Sequence, residues 1–179
     1  MSATKKKEYA NAVHQAGRAV MFLIHKQKIK TVTIDLKDDD DTYLRGTLGK
    51  RWRKTLEKYR DESTEFNEGE IEKIVVFLIA GELAEELILE KKVALRGSKG
   101  NHAFSRTPAS RIFLSISQDT RSYSTLRDAW KDKVIKEGKE VLTPYISVIR
   151  SIADKLVQRR IITGFLVKRI FKGDLLNEE

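Results

Sequence analysis

The chain has 179 residues, 40% of them hydrophobic, with only two prolines and ten glycines. That is about one domain's worth of sequence with enough apolar material for a core, which excludes a collagen-like or low-complexity disordered protein. Lysine and arginine outnumber aspartate and glutamate by 35 to 26, a net charge of +9, and cysteine is absent, which excludes disulfides, thiolate zinc sites and a cysteine nucleophile.

The first expected element is an amphipathic helix over residues 5–25, where Tyr9, Val13, Ala16, Val20 and Leu23 recur at three- and four-residue spacing. Although Lys5-Lys6-Lys7 resembles the basic start of a signal peptide, Ala19 to Ile24 is too short an apolar run to continue one. The period then changes to two across Ile29, Val32, Ile34 and Leu36, which reads as a half-buried strand ending at Lys37 and the run Asp38–Asp41. Four consecutive aspartates lack the alternating spacing of a calcium loop, so this run reads as a solvated turn. Tyr43 to Gly49 reads as a second short strand, and Lys50 to Asp61 as a charged helix.

Ile71 to Glu90 is the most apolar helical stretch and is expected at the centre of the core. Glu82, Glu85 and Glu86 interrupt it, so it falls short of the ~20 apolar residues a spanning helix needs. Arg96 to Pro108 reads as a surface loop, and Ile112 to Ile116 as a short strand or helix start. Helices are expected over Thr120–Gly138 and Pro144–Arg160, and Ile161–Phe171 closes the chain with Thr163 as a candidate N-cap. Residues 1–4 and 172–179 are expected to fray. The expectation is one mainly α domain over residues 1–179 with a small β element, soluble and, being cysteine-free, cytoplasmic.

The first helix carries Ala12-Val13-His14-Gln15-Ala16-Gly17-Arg18-Ala19. In a His-Glu-x-x-His helix the two imidazoles at i and i+4 share a face and hold zinc, while the Glu activates the bound water. In this sequence His14 stands in the first position, Gln15 in place of the base and Arg18 in place of the second imidazole. The stretch resembles the His-Glu-Ala-Gly-His-Ala signature of the FtsH-type ATP-dependent zinc metalloprotease family, peptidase domain only. Lys30-Thr31-Val32-Thr33-Ile34 is similar to that family's strand after the zinc helix, Arg45-Gly46-Thr47-Leu48-Gly49 to its Arg-Gly-x-x-Leu-Gly turn, and Ala80-Gly81-Glu82-Leu83-Ala84-Glu85-Glu86 to its central helix. The ordered matches span residues 9–89, and the implied fold is the zincin-like helical fold of that peptidase domain.

The resemblance also implies a third zinc ligand, an aspartate at the start of a later helix. Asp119 is the nearest candidate by position and Asp128 the alternative. Glu82, Glu85 and Glu86 would lie behind the site and hold His14 or a basic side chain. Two departures bear on chemistry: Gln15 cannot accept a proton, and Arg18 places a permanent cation near the metal position. His25, eleven residues after His14, and His102, in a loop, do not readily replace the missing imidazole. No cofactor is therefore expected, although the resemblance implies zinc. An ion pair between Arg18 and Asp119 across the old site is expected, or else Arg18 runs out to solvent. No Gly-x-x-x-x-Gly-Lys-[Ser/Thr] run occurs, so the family's ATPase is not expected, and without a long apolar run neither is its membrane anchor.

These readings lead to a catalytically degenerate peptidase-like protein that acts by binding protein or peptide. The strand Val32, Thr33, Ile34, Asp35 and Leu36 would serve as an open edge for an extended chain, as in zincins. A second reading is a nucleic-acid-binding module, from the cluster Lys50, Arg51, Trp52, Arg53 and Lys54, where cations beside aromatics suit phosphates and bases. A solvated helix with Trp52 in the core explains the same cluster. A third is an active metallopeptidase with an unorthodox ligand set.

Overall fold

The computed structural model describes residues 2–35, 44–47, 68–91 and 124–173. The sequence readings at Asp38–Asp41, Lys50–Asp61, Arg96–Pro108 and Ile112–Ile116 lie outside them. In chain order come α1 (Ala3–Ile24), β1 (Lys28–Thr33), β2 (Leu44–Thr47), α2 (Glu68–Leu78), α3 (Ala80–Leu89), α4 (Ser124–Leu142), a 3-10 turn (Thr143–Tyr145), α5 (Ile146–Arg159), β3 (Ile161–Thr163) and α6 (Gly164–Lys172). The described part is mainly helical with a small antiparallel sheet, and no helix among the described residues is long and apolar enough to cross a membrane.

Helix α1 starts earlier than its apolar stripe indicates, because the Ser2 side chain accepts the Lys5 backbone N–H and caps it. Residues 2–4 are thus cap and first turn instead of a frayed end. The helix is unusually buried: Ala12, Val13, Ala16, Ala19, Val20 and Met21 are fully enclosed. It packs against α3 on one side and α5 on another, so the middle of the core is the crossing of α1 with α3 and not the 71–90 segment alone.

That segment is also not one helix. Ile79 sits at φ −91° and ψ 5°, separating α2 from α3, while the N–H of Ile79 still bonds Val75 and that of Leu83 still bonds Ile79. The result is a bend between two helices that keeps its ladder, with Val75, Ile79, Ala80, Leu83 and Ala84 all in the core. Lys133 and Lys139 of α4 reach Glu72 and Glu86, each at 2.6 Å, and tie α4 to α2 and α3.

Helix α4 runs on to Leu142, four residues beyond the expected Gly138, and Pro144 then marks the change to the 3-10 turn. Gly138 lies inside the helix, and a Cβ added there would stand 2.4 Å from Leu83 Cδ1.

The closing segment over 161–171 holds β3 and most of α6. Arg160 ends α5 in the left-handed region at φ 60°, the chain extends through Ile161–Thr163, and α6 begins at Gly164. Thr163 does cap it, accepting the Leu166 N–H at 3.3 Å. The reason for the strand is local: β-branched Ile161, Ile162 and Thr163 suit a pleated surface, and alternation buries Ile162 alone. Helix α6 includes Lys172 and ends at Gly173, φ 80°.

Strand β3 changes the sheet. The strand order is β2-β1-β3, with Thr31–Thr33 paired to Ile161–Thr163 on one side and Lys28–Val32 paired to Leu44–Thr47 on the other. The strand read as an open edge is therefore the central one. Val32 and Thr33 lie within it, Ile34 and Asp35 follow it, and Leu36 lies outside the described residues. Even past the strand the backbone is engaged, since the Ile34 N–H donates to the Arg160 carbonyl at 2.9 Å.

Candidate functional site

The site forms where α1 crosses α3. Close approach is possible because both helices present small residues there. A Cβ added to Gly17 would overlap that of Ala84 and stand 2.7 Å from the Ala80 carbonyl oxygen. At Gly81 an added Cβ would stand 2.5 Å from Nε2 and Cδ2 of His14, so the imidazole lies directly on the Gly81 backbone.

With the ring seated on α3, its Nδ1 meets Glu85 Oε1 at 2.7 Å. The other carboxylate oxygen, Oε2, accepts from Lys91 Nζ. Burial pushes the Glu85 carboxyl up, but the hydrogen bonds from His14 and Lys91 outweigh it and hold the group below its ordinary value. A carboxylate can only accept, so His14 Nδ1 is the donor, the contact by which a carboxylate orients a metal-binding histidine.

One turn earlier on α3, Glu82 is in a different state. Its Oε2 is buried and finds no hydrogen-bond partner among the described residues. Burial raises its pKa; His14 and Lys91 oppose the rise and Glu85 adds to it. Glu86 turns away to Lys139. The three glutamates of one helix thus have three environments: one holds the histidine, one is buried beside it, and one is in a peripheral ion pair.

Gln15 is 2% exposed and part of a ladder along α1. Its Oε1 accepts from Arg18 Nη1 at 3.2 Å, its Nε2 donates to Asn11 Oδ1 at 3.3 Å, and Asn11 Nδ2 donates to the Ile34 carbonyl at 3.2 Å. Sequence reading missed Asn11, although its position four residues before Gln15 is the spacing at which helical side chains meet. Lys91 was missed as well; it follows the end of α3 and carried no motif.

Arg18 is half-buried, and burial lowers its pKa without making it other than a cation. Its described partner is Gln15, so it does not simply extend into solvent. Asp119, the expected partner of Arg18, lies outside the described residues, as does the side chain of Asp128. No group of three or more metal-ligating side chains occurs among the described residues. His14 with a guanidinium one turn further along the same helix is not a donor set that fits a tetrahedral zinc ion.

Among the described residues, His25 lies apart from this site. His25 follows the end of α1 and packs edge-on against Phe77 at 5.7 Å, where burial first and the Lys73 charge second lower its pKa. His102 and the cluster Lys50–Lys54 lie outside the described residues. No protein-family model matches the chain, and no curated protein sequence matches it.

Proposed function

We propose that this protein is a catalytically degenerate relative of the FtsH-type zinc peptidases that acts by binding protein or peptide. The observation that carries the reading is the pairing of a retained part with a lost one. His14 keeps a carboxylate on Nδ1, as an oriented zinc-binding histidine does, while Gln15 and Arg18, in place of base and second ligand, bond to each other. An amide cannot take a proton from water, and removal of a general base typically costs about 10²–10⁴ in rate. A permanent cation at i+4 opposes a divalent ion where a second imidazole would attract it. The small-residue crossing at Gly17, Ala80, Gly81 and Ala84, which seats His14, also belongs to the segments that resemble the family.

Metal analysis of the purified protein tests the reading, together with peptide hydrolysis assays on the unmodified chain and on the double variant Gln15→Glu/Arg18→His. The expected result is no stoichiometric zinc and no hydrolysis in the former, and zinc uptake that depends on His14 in the latter. Stoichiometric zinc with His14-dependent hydrolysis in the unmodified chain would overturn it.

A further inference from the structure

Away from the His14 site, the turn between α1 and β1 faces α6 across an open groove of about 590 Å³. Leu23 and Ile29 form one side of its apolar lining, and Phe165 and Phe171 the other. Lys26 and Lys28 stand on the first wall and Lys168 and Lys172 on the second, all exposed, and no carboxylate lines the groove among the described residues. Phe165 is 73% exposed, the most exposed large apolar side chain among the described residues.

The walls are held in place. Gly164 lies so close to the Ile29 carbonyl that no side chain fits between α6 and β1. Phe171 is stacked on Tyr145 with ring centroids 5.2 Å apart and planes at 10°. Lys26 is fixed in the left-handed region at φ 56°, its N–H on the Leu23 carbonyl. A preformed groove loses little conformational freedom when it is filled.

We propose that this groove binds a peptide segment in which acidic residues flank aromatic or aliphatic ones. Apolar side chains would cover Leu23, Ile29 and Phe165, while carboxylates meet the lysines on both walls. The charge is complementary only to an anion; bases could stack on Phe165, but their polar edges would be buried without partners against Leu23 and Ile29 on the facing wall, which peptide side chains cover without that cost. A bilayer surface is flat and does not fill a concave groove. The site is separate from His14, since Leu23 is nine residues further along α1, about 13 Å along the axis. It names a place for the peptide that the proposed function requires, but its geometry does not depend on the fate of the metal.

The test is fluorescence anisotropy with a labelled twelve-residue peptide of alternating Glu with Leu and Phe. Oligoglutamate of equal length, single-stranded oligothymidine and phosphatidylserine vesicles are measured beside it. The expected result is micromolar binding of the acidic-apolar peptide, weakened at least tenfold by Lys28→Glu/Lys168→Glu and at least threefold by Phe165→Ala, with circular dichroism unchanged. The substituted residues are exposed, so the fold should survive. Equal binding of oligoglutamate overturns the apolar half of the proposal. Tighter binding of oligothymidine or vesicles, lost in the same variants, overturns the peptide assignment, and variants that bind the peptide like the parent overturn the groove. Zinc content does not enter any of these readouts, so failure here is distinguishable from failure of the pseudopeptidase reading.

Discussion

His14 and Glu85 are 71 residues apart in sequence and 2.7 Å apart in space, with Nδ1 of the one on Oε1 of the other. Glu85 is buried and serves Lys91 as well; on its removal the exposed Lys91 turns to water, while the partly buried His14 loses its acceptor. Glu85→Ala should therefore destabilise by about 1 kcal/mol in urea unfolding, the net worth of one hydrogen bond to a partly buried partner, and Glu85→Gln by less. The folded carboxyl is held below its ordinary value, so its stabilisation is present above the unfolded carboxylate pKa and is lost as pH falls through the folded one. The gap between parent and Glu85→Ala should narrow in acid; a gap independent of pH would contradict the charge-assisted bond.

Glu82 has the opposite sign. Burial raises its pKa in the folded state, so folding favours its protonated form. A carboxyl raised on folding contributes its full stability below the unfolded pKa and loses it as pH rises through the folded one. Glu82→Gln, which keeps the shape and removes the charge, should raise the urea midpoint at pH 7 relative to the parent and leave it nearly unchanged at pH 4. A midpoint lowered at pH 7 would mean that the Glu82 charge is compensated.

Helices α1 and α5 were legible because their apolar spacing is a local pattern, whereas a carboxylate beside His14 was expected only through the family resemblance and the α1–α3 crossing at Gly17 and Gly81 was not read from the sequence. The sheet was legible only in part. Whether Val32 lies on an edge depends on Ile161–Thr163, which come over a hundred residues later and are too short to show a period. Two members of the polar ladder, Gln15 and Arg18, were singled out by what they replace and not by what they bond. That Gln15 faces Asn11 and Arg18 follows from helix spacing; that Asn11 ends on the Ile34 carbonyl depends on tertiary packing.

Gly17→Ala tests the crossing directly. The added methyl would meet the Ala84 side chain and the Ala80 carbonyl, and neither is the flexible end of a long side chain. Overpacking of this kind costs about 1–3 kcal/mol, against the ~1 kcal/mol that alanine otherwise gains over glycine inside a helix. Net destabilisation in urea, with displaced backbone amide shifts around residues 80–84, is the expected outcome. A variant more stable than the parent would mean that the helices are not in contact there.

The clasp at Arg160 gives the last prediction. Its guanidinium donates through Nε to Asp35 Oδ2 at 2.6 Å, pairs with Asp35 again through Nη2, and reaches Glu8 through Nη1, joining the end of α5 to the segment after β1 and to α1. The hydrogen bond from Arg160, with burial working weakly against it, holds the Asp35 carboxyl below its ordinary value. A depressed carboxylate stabilises above the unfolded pKa of ~3.9 and loses that contribution as pH falls through the folded value, so the acid limb of the stability profile should contain it. Asp35→Asn should flatten that limb below about pH 4, and Arg160→Lys should act in the same direction, because a lysine cannot grip the carboxylate in two places. Both groups are largely exposed, so salt should screen the effect, and the difference in melting temperature between parent and Asp35→Asn should shrink from low salt to 1 M, where the screening length is about 3 Å. The backbone bond from Ile34 to the Arg160 carbonyl does not involve either side chain, so the sheet should persist in both variants. An acid limb that Asp35→Asn leaves untouched would show that the clasp is decorative and that other carboxylates set the acid sensitivity.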